Sequence, residues 1–262
     1  LNIQNYVRAE SLEQAYELNQ NRRSHVLGGM LWLRQSDITV GTAIDLSGLG
    51  LDTIEETDEE YRIGAMVPLR KLEHHPGIAA LTGGAVENAL KDIVGVQFRN
   101  MATVGGSIWG RFGFSDVLTV LLGADCEVEL FKAGRMPLEQ FAALAYDRDI
   151  LTHVILKKTP GAMVYRSVRN ARTDFPVLAC AASCRNGQVK LAVGARPGKA
   201  VVVHDENGLL KEGITPKVPG LAEYAAKTVP TGTNSRAGAE YRTHLVRVLT
   251  ERMLLELAEK EG

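Results

Sequence analysis

Two glycine pairs carry most of the chemistry-bearing signal in this sequence. The first stands in Val26-Leu27-Gly28-Gly29-Met30-Leu31, where an apolar run stops at the pair and then resumes. The second lies between Arg99 and Asp116, a stretch that sets Gly105, Gly106, Gly110 and Gly113 among hydroxyl, aromatic and basic residues. Glycine tolerates positive φ and close approach, so such bends can turn backbone N–H groups toward an anion without much positive charge. Two of them could grip one diphosphate from both sides, while each taken singly also reads as an ordinary tight turn.

The remaining motifs exclude more than they offer. Gly194-Ala195-Arg196-Pro197-Gly198-Lys199-Ala200 looks like a phosphate loop. It has one residue too few between its glycines, a proline in the turn, and alanine where Ser or Thr would hold magnesium. No Gly-x-Gly-x-x-Gly follows a strand with an acidic residue about 20 positions on, which disfavours a Rossmann site. Cys126, Cys180 and Cys184 provide no four-thiolate set, and the last two read as buried thiols on one face of a strand. The acidic run Glu55 to Glu60 reads as a solvated hairpin tip, and the adjacent His74 and His75 as surface or capping residues. Neither a catalytic acid–base set nor a metal site is expected.

The elements that must position the bends follow from periodicity. Ile3 to Val7 is extended, and Ser11 with Gln14 forms a capping box opening a helix to about Asn19. His25 to Leu27 is a strand entering the first bend, a helix from Met30 to Leu33 leaves it, and Ala43 to Leu46 closes a small βαβ-like unit. Thr53-Ile54 and Tyr61 to Ile63 flank the acidic run as a hairpin. Helices are expected at Pro68 to His74 and Ala79 to Val94, then an apolar helix capped by Ser115 or Asp116. Asp116 reads equally as a cap and as an acceptor for a ribityl or ribose hydroxyl. Strands at Glu127 to Phe131 and Ile150 to Leu156 enclose a short helix, Pro137 to Ala143.

Beyond Pro160 come strands Met163 to Val168, Val177 to Cys184 and Val189 to Val193, the last two joined by an Asn186-Gly187 turn. A Gly-, Pro- and Lys-rich loop covers Gly194 to Pro219. Two helices end the chain, with Tyr241, Leu245, Val248, Leu249 and Met253 on one face of the last.

With 262 residues, 45% hydrophobic content and a net charge of −1, the chain has room for a real core and no electrostatic case for nucleic acid. No secretory signal or membrane-length apolar run is found, and a soluble cytoplasmic protein is expected.

Residues 99 to 122, with Leu27-Gly28-Gly29, Ile63 to Leu69 and Tyr165 to Asp174, resemble the FAD-binding (medium) subunit of molybdenum hydroxylases, the xanthine dehydrogenase and aerobic carbon monoxide dehydrogenase family. The resemblance spans nearly the whole chain in order. It implies an α+β fold: a two-piece FAD-binding domain of the vanillyl-alcohol oxidase / p-cresol methylhydroxylase type plus a C-terminal three-stranded antiparallel sheet with helices. The segments would be 1–51, 52–160 and 161–262. It further implies FAD contacts from Val26, Leu27, Gly28, Gly29, Met30, Leu31 and Trp32, and from Ala102, Thr103, Gly105, Gly106, Ser107 and Trp109. Asp116 would touch the cofactor, Ile150 and Leu151 would lie against the flavin ring, and Arg166 would stand near it. Asp174 matches an acidic position without an assignable task.

The implied partners are a large molybdopterin-binding subunit and a small iron–sulfur subunit, with NAD as one acceptor. Departures from the pattern are Met30 and Leu31, where Thr-Asp is common, Ser107 for Asn, and Arg111-Phe112-Gly113-Phe114 before Ser115-Asp116. Two other readings are a self-sufficient flavin oxidoreductase of the same fold and a scaffold subunit without cofactor.

Overall fold

The structure, a computed structural model, describes residues 1–204, 208 and 218–261. In chain order the first elements are β1 (Asn2–Arg8), α1 (Leu12–Asn19), β2 (Ser24–Leu27), a 3-10 turn (Leu33–Gln35), β3 (Thr39–Asp45), β4 (Ile54–Glu56) and β5 (Glu60–Gly64). Six short helices and two strands follow: α2 (Leu69–Glu73), α3 (Pro76–Leu81), α4 (Ala85–Leu90), α5 (Val96–Met101), α6 (Val104–Trp109), α7 (Asp116–Leu122), β6 (Cys126–Leu130) and β7 (Gly134–Pro137). The rest are α8 (Leu138–Ala143), β8 (Leu151–Lys157), β9 (Gly161–Arg169), β10 (Pro176–Arg185), β11 (Gln188–Gly194), β12 (Val201–Val203), α9 (Val218–Thr228) and α10 (Ala239–Glu261).

The chain divides into two compact units. Leu1–Leu72, Val96–Gly110 and Cys126–Lys157 form the first. It holds a parallel sheet in the order β1-β3-β2 and an antiparallel sheet in the order β4-β5-β8-β6-β7. Ser11 caps α1 by accepting from Gln14 N–H, and Gln14 answers by accepting from Glu10 N–H, so the capping box forms one residue early on its return arm. Ala9, Ala15, Ile44, Leu46, Leu51 and Ile150 make a shared apolar core. The βαβ crossover runs through α1. The helix expected from Met30 to Leu33 is only the 3-10 turn, because Met30 takes φ 60° and breaks the right-handed path.

Glu73–Gly95, Arg111–Asp125 and Lys158–Gly262 form the second unit. Its antiparallel sheet has four strands, β12-β11-β10-β9, where three were expected. The fourth is the three-residue β12, inside the stretch read as a loop; the rest of that loop lies largely outside the described residues. Asn186 and Gly187 adopt φ 51° and 73°, the left-handed pair that a two-residue hairpin turn requires. Cys180 and Cys184 lie buried among the residues that α9 and α10 cover, with free thiols. The helix expected over Ala79 to Val94 is broken into α3 and α4 by Gly83 and Gly84, both at positive φ. His75 caps α3 through Nδ1, accepting from Ile78 N–H. The buried face of α10 is Leu245, Val246, Leu249, Met253, Leu254 and Leu257, whereas Tyr241 is exposed.

Candidate functional site

The first bend leaves β2 at Leu27 and folds directly over the start of α6. A Cβ on Gly28 would lie 2.9 Å from Thr103 Oγ1 and 3.5 Å from Gly106 Cα, and a Cβ on Gly29 would collide with the Met101 carbonyl oxygen. The two glycine pairs, some 75 positions apart in sequence, are therefore in contact. Neither Gly28 nor Gly29 needs positive φ; glycine is required here by proximity. The left-handed residue is Met30, at φ 60°.

The two bends differ in what they offer a ligand. Among the described residues, no acceptor takes the N–H groups of Gly28, Gly29, Met30 or Leu31. The second glycine pair sits inside α6, with no positive φ at Gly105, Gly106, Gly110 or Gly113, contrary to the expected open bend. Its amides are engaged: Val104 N–H donates to Val67 O at 2.9 Å, Gly105 N–H to Ala65 O at 2.8 Å, and Gly106 N–H to Thr103 Oγ1 at 3.1 Å. Ser107 N–H and Oγ both donate to Thr103 O. Thr103, as N-cap, keeps its hydroxyl proton to donate.

The segment Ile63 to Leu69 explains this engagement. Its carbonyls receive α6, and Leu69 N–H returns a bond to Ala102 O at 2.8 Å. A Cβ on Gly105 would stand 2.6 Å from Ala65 Cβ and 2.7 Å from Ala65 O, so Gly105 exists to let α6 dock. A Cβ on Gly106 would meet only Thr103 Oγ1, at 3.1 Å, and would otherwise enter open space. Four unengaged consecutive amides beside one hydroxyl donor make a set that fits a diphosphate, and the bare Gly106 Cα keeps the cradle open. The residues present therefore fit the diphosphate of FAD.

The flanking residues are sorted by burial. Val26 packs into the core of the first unit, Leu27 is buried with Val40 and Ala43, and Trp32 is 43% exposed. Ala102 is buried under the bend, and Trp109 lies against Phe141 with ring centroids 5.8 Å apart. Ile150 belongs to the apolar core and Leu151 is buried at the start of β8. Both are fixed by Asp149, whose carboxylate accepts from Lys132, Ala133 and Ile150 N–H groups, an anchor the sequence reading missed.

Asp116 and Arg166 lie in the second unit and are paired there. Ser115, not Asp116, is the N-cap of α7, accepting from Leu118 N–H. The Asp116 carboxylate is buried and accepts from the Tyr165 hydroxyl and from Arg169 Nη2 at 2.7 Å. Burial pushes this carboxyl above the usual range while Arg169 opposes the shift, and burial beside Asp116 holds the Tyr165 phenol well above its ordinary value. A carboxylate this deep needs partners inside the protein, and Tyr165 and Arg169 supply them. Arg166 pairs with Glu256 of α10 at 2.5 Å. Asp174 pairs with Arg236 at 2.9 Å and receives Arg169 Nη1 on its carbonyl.

A parallel sheet ending in a cradle of unengaged amides, closed from below by a glycine-bearing helix, defines a module that holds a phosphate-bearing cofactor. The chain belongs to the family described as the FAD binding domain in molybdopterin dehydrogenase, which matches residues 1–158, and it is an oxidoreductase subunit of that family. It is 26% identical to YgfM of Escherichia coli (strain K12), across 94% of this chain and 93% of that one. It is 25% identical to the xanthine dehydrogenase FAD-binding subunit of Escherichia coli O157:H7, across 98% and 97%. Among solved structures, a chain of carbon monoxide dehydrogenase from Hydrogenophaga pseudoflava, which lacks the Mo-pyranopterin moiety of its molybdenum cofactor, shares the fold. The TM-score is 0.86 over 98% of this chain and 97% of that one, at 21% identity.

Proposed function

We propose that this chain is the FAD-holding electron-transfer subunit of a multi-subunit molybdenum hydroxylase of the xanthine dehydrogenase kind. It would stand between iron–sulfur clusters on a small partner chain and NAD or another acceptor, with molybdopterin on a large partner chain. The observation that carries this reading is the contact of Gly28-Gly29 with Thr103 and Gly106 beneath four unengaged amides. FAD supplies the electron chemistry when bound. The chain's own contribution is to fix the diphosphate with Gly28 to Leu31 N–H groups and the Thr103 hydroxyl, with Val26, Leu27, Trp32, Ala102, Gly105, Gly106, Ser107 and Trp109 shaping the walls, and Ile150 and Leu151 an apolar border. Three buried free thiols and no disulfide fit a reducing, cytoplasmic setting.

The test is titration of the purified full-length chain with FAD, followed by flavin fluorescence and absorbance. One FAD per chain is expected, with Gly29→Ala losing binding at least tenfold because its methyl would collide with the Met101 carbonyl. No flavin uptake by the unaltered chain would contradict the proposal. Co-purification from the native host should bring down one large molybdopterin-bearing and one small cysteine-rich chain.

A further inference from the structure

In the second unit, β10 ends on two buried polar residues, Ser183 and Arg185, at 1% and 7% exposure. Alternation puts both on one face of the sheet, and pairing with β11 sets Lys190 opposite Ser183 and Gln188 opposite Arg185 on that same face. Ala182, Cys184 and Leu191 face the other way, into the core that includes α9 and α10. The polar face meets the end of α7: Ser183 Oγ donates to the Gly123 carbonyl at 2.7 Å, and Lys190 Nζ to the Ala124 carbonyl at 3.0 Å. Arg185 Nη1 donates to the Thr159 carbonyl, and the Thr159 hydroxyl to Asp125 Oδ2 at 2.7 Å. Ser183, Arg185, Gln188, Lys190, Thr159 and Asp125 line a cavity of about 490 Å³, with Val202 on its apolar wall. Among the described residues, the half-buried Lys190 ammonium has no other hydrogen bond and no carboxylate partner. Its bond to Ala124 uses one of three N–H groups. Asp125 is the one acid of the lining, against Arg185 and Lys190, so the cavity is net positive even with His204 neutral.

We infer that this cavity is a second ligand site, sharing no residue with the glycine cradle, for a small organic phosphate monoester whose phosphate sits on Lys190. The site goes beyond the FAD reading and does not rest on it. Lys190 brings a full charge and two remaining N–H groups, Gln188 brings an amide at the exposed rim, and Arg185 adds to the positive field. A tetrahedral dianion has oxygens for both the ammonium and the amide, whereas a carboxylate offers two oxygens and a single charge. The volume is far more than an inorganic phosphate fills, and Val202 borders the space left for an organic body.

The experiment is calorimetric titration of the full chain with phenyl phosphate, with FAD present in excess so that the cradle is not the site read. Phenol, the same body without the phosphate, and benzoate, the carboxylate counterpart, are the controls. Saturable binding of phenyl phosphate is expected, weaker binding of benzoate, and none of phenol. Lys190→Met, which keeps the length of the stem, should weaken phenyl phosphate about tenfold through loss of one charge-assisted bond, and Lys190→Arg should stay within about threefold of the unaltered chain. Gln188→Glu tests the same point at the exposed rim without touching the bond to Ala124: its carboxylate should repel the phosphate and weaken binding about tenfold. That variant decides the matter if circular dichroism shows that Lys190→Met does not fold. Absence of saturable phenyl phosphate binding would overturn the inference, as would phenol or benzoate binding as tightly, or undiminished binding by folded Lys190→Met or by Gln188→Glu.

Discussion

At the scale of single residues, the four glycines of the cradle do separate jobs. Gly29 and Gly28 permit contact with the second bend, Gly105 lets α6 dock on Ala65, and Gly106 leaves space below the amides. Gly105→Ala should therefore lower stability by about 1–3 kcal/mol, as overpacking does, seen as a lower Tm whether or not FAD is present. Gly106→Ala should leave the fold intact and weaken FAD binding, because only the cradle is filled. Met30 bears the opposite signature: a side chain in the left-handed region costs about 1 kcal/mol, so Met30→Gly should raise the melting temperature. The glycine pairs themselves were legible from sequence, as was a cap at Ser115 or Asp116, though not which of the two serves. Which amides are engaged was not, because that depends on Ala65 and Val67 carbonyls some 40 positions away.

At the scale of elements, the bend is aimed by what holds β2. Arg148 donates to the carbonyls of Asn19, Asn21 and Ser24 through Nη1 and of Arg22 through Nη2, while Asn19 Nδ2 returns a bond to Arg148 O at 2.9 Å. That clasp fixes the end of α1 and the entry to β2. Arg148→Ala should cost about 2–3 kcal/mol, the worth of hydrogen bonds from a charged group, measured by denaturant unfolding, and should loosen FAD affinity in step. In the five-stranded sheet, His153 of β8 lies 3.0 Å from Glu129 and beside Arg62. Burial first, and the Arg62 guanidinium second, depress the imidazole below its ordinary value. The unfolded chain then takes up that proton first as pH falls, so stability should decline from about pH 6.5 downward. His153→Gln should flatten that part of the pH–stability curve. In the second unit, Asp116→Ala strands the buried Arg169 and should cost about 3–5 kcal/mol.

Periodicity and turn chemistry made most of these elements legible: the capped α1, the β4–β5 hairpin, the Asn186-Gly187 turn and the three long strands after Pro160 all stand where expected. The misses have physical causes. β12 has only three residues and depends on pairing with β11, which local composition does not record. Gly83 and Gly84 break a helix whose apolar pattern runs through them, and α6 forms across a glycine pair because its first amides bond to the Ala65 and Val67 carbonyls, which replace the missing propensity.

At the scale of the whole molecule, the net charge is −1 and the three cysteines are buried, and the proposed means of recognition is backbone geometry. No helix among the described residues is long and apolar enough to cross a membrane. An amide-built cradle carries little net charge, so FAD affinity should fall less than about threefold between 50 and 500 mM salt if no screened surface ion pair dominates. Steep salt dependence would point to surface cations instead.

The central claim concerns two sets of backbone amides, and residue-resolved hydrogen–deuterium exchange reads both at once. The Gly28 to Leu31 amides should exchange quickly in the unloaded chain and become protected when FAD is added, while Val104 to Ser107 remain slow throughout. Unchanged exchange at Gly28 to Leu31 on flavin binding, or protection arising at Val104 to Ser107 only when FAD is present, would contradict it.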